Sequence, residues 1–425
     1  MNDVRKGKIG SSRKLVIFIS ILIMLSGLLF SRMLLSLGLT VFAGACLVHR
    51  NITDQLKTFF FSPLLWSMSL LLLLPLVSGF WSQDIATWSQ ILRIKLPLLL
   101  LPVCFAGLNY FTDKDWQRIA FAFLILVIVG TGWSLWRYLE DANSVQEAYL
   151  RAQTIETPLG NDHVRFSLLV SIATLTSGFL LLTKGKTFQR RIVVALLAIT
   201  FILVAYLHVL AARTGLICFY FSTLVFIIWV LWRQRKIPRY SWLLFIVLLL
   251  PFISWMAFPT FKNRISYIKY DLSFLKNDNY RSGSNDGNRL ISIKAGWRLQ
   301  NNHPLTGVGF GDIKNETDKL YQRKYPQMIK ADKILPSSEW MIYGAGTGWP
   351  GFILFSMVML IPFFIAPLQK QIAWRLLNIS IVLSYVFDIG LEVQYGVFIH
   401  AFILLWWYKW LGSVPKFHEI AKNNE

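Results

Sequence analysis

The chain has 425 residues, 55% of them hydrophobic and 15% charged, with a mean hydropathy of +0.51, which excludes a disordered chain, a collagenous fibre and an ordinary soluble domain. Its three cysteines, Cys46, Cys104 and Cys218, each lie inside an apolar run and exclude a disulfide scaffold or a cysteine metal cluster. The formal net charge of +21, from 43 Lys and Arg against 22 Asp and Glu, would suggest nucleic acid in a soluble chain; here its meaning depends on where the charges fall between the apolar runs.

Stretches of roughly 17 to 25 apolar residues, long enough to cross about 30 Å of hydrocarbon as helix, recur along the chain. Twelve are predicted, near residues 14–30, 33–49, 60–79, 92–108, 117–138, 164–183, 191–208, 213–232, 241–258, 341–366, 373–389 and 394–411. The basic N-terminus resembles a signal peptide, but no small-residue cleavage site follows Phe30 and a second run begins at once, so it reads as the first span. The expected fold class is therefore an all-α polytopic membrane protein: nine spans in residues 1–258, a large loop domain in 259–340, and three spans with a tail in 341–425.

Lysine and arginine near helix ends are retained on the cytoplasmic side. One set of short connections holds Arg5, Lys6, Lys8, Arg13 and Lys14, then Arg50 and Lys57, then Lys184, Lys186, Arg190 and Arg191, then Arg233, Arg235, Lys236 and Arg239. The opposite set holds only Arg32, Arg151 and Arg213. Both termini are thus expected in the cytoplasm. Residues 259–340, with 14 Lys and Arg against 8 Asp and Glu, are expected outside, because long loops cross largely regardless of charge. A second outer segment, 139–163, is acidic at Glu140, Asp141, Glu147 and Glu156.

In the large loop, Gly and Ser turn residues precede an expected helix capped at Asn285 or Asp286, with Leu290, Ile293, Ala295, Trp297 and Leu299 turned toward the membrane surface or the other helices. The following NNHPLTGVGFGD is a tight turn in which Gly307 and Gly309 let a backbone approach a ligand closely, and His303 before Pro304 reads as structural.

An arginine at membrane depth is costly, so Arg213 in AARTG either snorkels to head groups or faces a ligand in the room left by Ala211, Ala212 and Gly215. Arg289 and Arg298, with Lys262, Arg264, Lys269 and Lys294, form either a solvated surface or a set suited to an anion; guanidinium forks match phosphate oxygens, and pyrophosphate is the economical choice. His163 enters the sixth helix beside Asn161, Asp162 and Arg165, as a cap or as a proton acceptor; His208 is the remaining histidine near that face. In LPSSEWMIYGAGTGWPG, Ser337 or Ser338 can cap the tenth helix. Glu339 in its first turn is either a favourable terminal charge or a base at the membrane surface. The large loop contains no Asp-x-Asp pair, so no metal dependence is expected.

Taken together, AARTG at a helix start, GNRLISIKAGWRLQNNHPLTGVGFG in a long loop and PSSEWMIYGAGTGWPG entering the next span resemble the O-antigen ligase and O-antigen polymerase superfamily. The resemblance is specific in residues 205–355 and implies a bacterial inner-membrane glycosyltransferase of GT-C type. Such an enzyme passes a glycan, on the periplasmic face, from undecaprenyl pyrophosphate to an acceptor: lipid A core for a ligase, another repeat unit for a polymerase, or a protein hydroxyl. The implied partners are the lipid-linked glycan, the lipid A core or another glycan or lipid acceptor, and the bilayer, with no nucleic acid, no cofactor and no metal. The family's two pyrophosphate-binding arginines fall on Arg213 and Arg289, and Arg165 is counted with them on the donor side. Its catalytic histidine, in a Pro-His-Asn element, is replaced here by Pro336-Ser337-Ser338-Glu339, so Glu339 or His163 would take the role of base, or the acceptor differs. A lipid-linked glycan transporter would instead place charges near several helix midplanes.

Overall fold

The computed structural model describes residues 2–49, 51–234, 242–275 and 280–413, and the side chains of these except for 2–11, 233–234, 272–275 and 370. Arg50, Arg235, Lys236, Arg239 and the tail 414–425 lie outside the described residues, as do the side chains of Arg5, Lys6, Lys8 and Arg233.

Among the described residues the regular structure is helical throughout, and every predicted span falls on a helix or a pair of helices. Among the described residues, seven helices are long and apolar enough to cross a membrane: Ser12–Phe30, Ile85–Ala106, Asp113–Glu140, His163–Lys184, Arg190–Leu210, Arg213–Trp232 and Glu339–Phe364. Two bent pairs, Arg32–Leu47 with Ile52–Phe61 and Trp242–Ala257 with Pro259–Asp271, bring the number to nine if each counts as one span. Pro63–Ser78 and Ile372–Val386 are shorter apolar helices. The class is thus all-helical and multi-span. Hydrocarbon offers no partner for backbone N–H and C=O groups, so an apolar run must satisfy them within its own helix.

The predicted span 60–79 is divided. Ser62 is extended (φ −98, ψ 109) and Pro63, which has no N–H to lose, opens a new helix at its first position. The large loop is also far from irregular, because it contains the helices Pro259–Leu275, Asn285–Asn302 and Ile313–Lys324.

Asn285–Asn302 departs from expectation in its cap, while Ala295 and Leu299 pack inward as expected. Its cap is Ser284 rather than Asn285 or Asp286; the Ser284 Oγ accepts from the Gly287 N–H at 3.1 Å. Its buried face is Asn288, Ser292, Ala295, Gly296, Leu299 and Gln300, while Leu290 and Trp297 are 36% and 45% exposed. Close packing decides this. A Cβ on Gly296 would stand 2.8 Å from the side chains of Pro336 and Met341, so the face with the smallest residues is the one that docks on the start of Glu339–Phe364.

Glu339–Phe364 is itself broken at Thr347 (φ −137, ψ 18) and Gly348 (φ 70, ψ −159). The turn after Asn302 fills the break: the Val308 and Gly309 N–H groups donate to the Ala345 and Gly346 carbonyls at 2.8 and 3.0 Å, and the Trp349 N–H donates to the Pro304 carbonyl at 2.8 Å. Carbonyls freed by the kink thus find donors within the protein. Gly307 (φ 64) and Gly309 (φ 89) allow this approach, since a Cβ on Gly307 would overlap the backbone of Gly346 and Thr347. Within the protein, these glycines approach the backbone of the Glu339–Phe364 helix. The same turn is fastened to the Ser78–Asp84 segment, where Asp312 accepts from the Gln83 and Asp84 N–H groups at 2.7 and 3.0 Å.

Candidate functional site

The helix starts carry the polar chemistry. Asp162 caps His163–Lys184, accepting from the Arg165 N–H at 3.1 Å and from the Arg165 Nη1 at 2.6 Å. The Arg165 Nη2 then reaches across to the Ile389 carbonyl at 2.8 Å and the Asp388 carboxylate at 3.3 Å. From Asn285–Asn302, Arg289 donates to the Phe387 carbonyl at 2.8 Å. Two arginines from two helices therefore converge on residues 387–389, the connection between Ile372–Val386 and Gln394–Ser413. Burial pushes the Asp388 carboxyl above its ordinary range, and the Arg165 and Arg289 guanidiniums oppose that shift. Burial likewise pulls Arg289 below the usual arginine value, with Asp388 opposing.

Arg213 is the first residue of its helix. Ala211 closes the preceding helix in the left-handed region (φ 48), and Ala211 and Ala212 are buried, while the Arg213 side chain keeps 29% of its surface exposed. Gly215 lets the new helix lie on His163–Lys184: its N–H donates to the Ser167 Oγ at 3.1 Å, and a Cβ there would stand 2.6 Å from that of Ser167. This places the Arg213 guanidinium against Asp286, with which it forms an ion pair. Arg264, on Pro259–Leu275, lies in electrostatic range of Arg213 and Asp286 and is 4% exposed. His163 is half-buried, in electrostatic range of Arg264, Asp162, Arg289 and Arg165. One imidazole and four guanidiniums are thus gathered with three carboxylates, those of Asp162, Asp286 and Asp388.

Glu339 stands apart from the place expected for it. Its side chain is fully buried rather than at the membrane surface; Oε1 accepts from the Leu391 N–H and Oε2 has no hydrogen-bond partner. Beside it Lys95, also fully buried, donates to the Glu392 Oε1 at 2.6 Å and the Leu391 carbonyl at 3.0 Å, with its ammonium 5.0 Å from the Tyr343 ring centre. This group fastens the Gly390–Glu392 turn directly after the segment the arginines hold.

Ser337 is spent on Ser292, with its N–H at 3.0 Å and its Oγ at 3.1 Å from the Ser292 Oγ. His303 is exposed and ends Asn285–Asn302, its carbonyl accepting from the Gly307 N–H at 2.9 Å; it belongs with Gly307 and Gly309 to the turn that fills the broken span. His208 is buried, bonded to the Val204 carbonyl and the Tyr220 hydroxyl. Of the six loop cations grouped from the sequence, Arg264 and Arg289 join the cluster, whereas Lys262, Lys269 and Arg298 are exposed and Lys294 is partly so. Sequence reasoning missed Asp286, Asp388 and the Lys95–Glu392 pair. The signals were a lysine inside an apolar run and two carboxylates in DIGLE between spans, each expensive at membrane depth. A cleft of about 1030 Å³, lined by Lys57, Phe61, Met357, Leu360, Phe364 and Tyr408 among others, opens at the far end of Glu339–Phe364, away from this cluster.

Residues 198–356 match the family model described as O-antigen ligase. Over those residues the chain is similar to the O-antigen ligases. The match agrees with the resemblance read from AARTG, the long loop and PSSEW, and its span encloses Arg213, Arg264, Asp286, Arg289 and Glu339. His163, Arg165 and Asp388 reach the cluster from outside the matched segment, so the cluster draws on both of its flanks. No curated protein matches the sequence.

Proposed function

We propose that this O-antigen ligase-type protein is an inner-membrane glycosyltransferase that moves a glycan from undecaprenyl pyrophosphate to a hydroxyl of the lipid A core or a related surface acceptor. The observation that carries the reading is the gathering of Arg165, Arg213 and Arg289, near the starts of three helices, with Arg264 of a fourth helix and the partly exposed His163. A sugar pyrophosphate is an activated donor. The acceptor oxygen attacks the anomeric carbon from the face opposite the leaving group, the bond to pyrophosphate breaks, and the configuration inverts. Guanidiniums stabilise the charge gathering on the departing pyrophosphate, and the acceptor proton passes to a base. Arg213 and Arg289 are assigned to the pyrophosphate; Arg165, whose terminal nitrogens already serve Asp162, Asp388 and Ile389, holds the 387–389 segment beside it.

For the base, His163 is favoured over Glu339, because it lies among the arginines and is partly open, whereas the Glu339 carboxylate is enclosed and bonded to Leu391. The reaction is tested with purified protein, an undecaprenyl-pyrophosphate glycan and lipid A core as acceptor, following glycan transfer in a single turnover. His163→Ala is expected to slow transfer by about 10²- to 10⁴-fold at unchanged protein stability. Glu339→Gln is expected to lower stability first, with the rate per folded molecule retained. Parental transfer by His163→Ala removes it from the role of base, and an inactive parent protein with both lipids supplied removes the reaction.

Both termini are placed in the cytoplasm and residues 259–340 in the periplasm, a reading supported by the lysines and arginines of the short connections. Alkaline phosphatase fused at Asn315 is expected to be active and at Gln189 inactive; the reverse pattern would invert the topology.

A further inference from the structure

We infer that Arg264 is the centre of a further oxyanion subsite, one that takes a phosphate group of the donor beside Arg213. The inference rests on the donor reading above and deepens it. Arg264 is 4% exposed, and its Nε and Nη1 are buried with no hydrogen-bond partner. A guanidinium cut off from water with two of its nitrogens unfilled is costly, and of the acceptors named around it only the Asp286 Oδ2 is not engaged.

The Tyr149 hydroxyl donates to the Leu210 carbonyl at 2.8 Å and accepts from the Ile155 N–H at 3.2 Å. Asp271 accepts from Ser284, from the Tyr267 hydroxyl at 3.2 Å and from the Asp286 N–H at 2.7 Å, so its carboxylate is used to set the start of Asn285–Asn302. Asp286 is paired through Oδ1 with Arg213, while its Oδ2 is buried without a hydrogen-bond partner, so one carboxylate stands against two guanidiniums. The Tyr267 ring offers its face, 5.7 Å from the Arg264 guanidinium carbon, which accepts no N–H at hydrogen-bond distance. Meanwhile Arg213 adds a second positive charge within range.

Two cations therefore share one carboxylate, and what the place lacks is an anion with several acceptor oxygens. Each phosphate of the donor's pyrophosphate diester supplies two free oxygens, and guanidinium forks bind such oxygens in pairs. His163 stands in range of the same guanidinium, so a phosphate held there would lie on the reacting side of the cluster.

The test uses the full-length protein in phosphatidylcholine nanodiscs, with inorganic pyrophosphate as probe and thermal unfolding as readout. Pyrophosphate is expected to stabilise the parent protein. In Arg264→Gln the half-saturating concentration is expected to rise about 10- to 100-fold, while the melting temperature without pyrophosphate stays level or rises, since an unpaired buried charge has been removed. Arg264→Lys, which keeps the charge without the fork, is expected to fall between the two. A structural arginine would do the opposite: a lower melting temperature with an unchanged pyrophosphate response in both variants, which overturns the inference and leaves the donor reading standing. If pyrophosphate stabilises neither the parent nor Arg213→Lys, the donor reading fails and this subsite with it. In a second arm containing phosphatidylglycerol, stabilisation by the lipid that pyrophosphate does not increase identifies a lipid head group as occupant and also overturns the proposal.

Discussion

Arg213→Lys and Arg289→Lys are each expected to lower glycan transfer by about 10²- to 10³-fold while the amount of protein in the membrane stays the same. On the proposed donor reading, each arginine has two tasks that a lysine cannot combine. Arg289 holds the Phe387 carbonyl through Nη1, and Arg213 is held by Asp286 through Nη1, so in both cases the rest of the fork remains to meet phosphate oxygens. A lysine ammonium keeps the charge but is a single point on a flexible stem; it can serve the protein contact or the phosphate, and it cannot bridge them. The loss should appear in the single-turnover rate with donor and acceptor saturating, because the contact strengthens as the pyrophosphate gains charge. Near-parental rates in both variants would sink the assignment.

Lys95→Met is expected to destabilise the protein by about 3 to 5 kcal/mol, the cost typical of removing one partner of a buried pair. Lys95 and its partner Glu392 are buried, and Glu339 with its unbonded Oε2 lies beside them, so the change leaves two carboxylates facing each other without a cation. It also frees the Leu391 carbonyl from its donor. Unfolding of the purified protein should show the drop. The double variant Lys95→Met with Glu392→Leu should recover most of it, since an apolar pair of similar bulk can replace a buried ion pair. If the single variant melts with the parent, the pair does not stabilise the fold. Because the Gly390–Glu392 turn follows directly on the 387–389 segment held by Arg165 and Arg289, loss of transfer should accompany loss of stability here, in contrast to the two lysine variants above.

The sequence by itself determined that the chain is a bundle of apolar helices and where those helices run, because a hydrocarbon-length run that must bond its own backbone has one solution, the helix. It also singled out AARTG, the NRL start of the loop helix and PSSEW, segments that the O-antigen ligase match covers. What it left open were matters of which side faces in. Arg264 and Arg298 look alike as loop cations. Packing of the Pro259–Leu275 helix buries the first, while the second stays exposed because the small-residue face of Asn285–Asn302 docks on the next span. Gly307 and Gly309 suit either a ligand or a neighbouring backbone, and only the break at Thr347 and Gly348 shows that their partner is a span. Glu339 at a helix start reads as a surface charge until Leu391 and Lys95, distant along the chain, enclose it. Local pattern determines an element through forces between near neighbours. The orientation of its charges is decided by which distant group supplies the opposite charge or the missing hydrogen bond, and that is known only once the helices have packed.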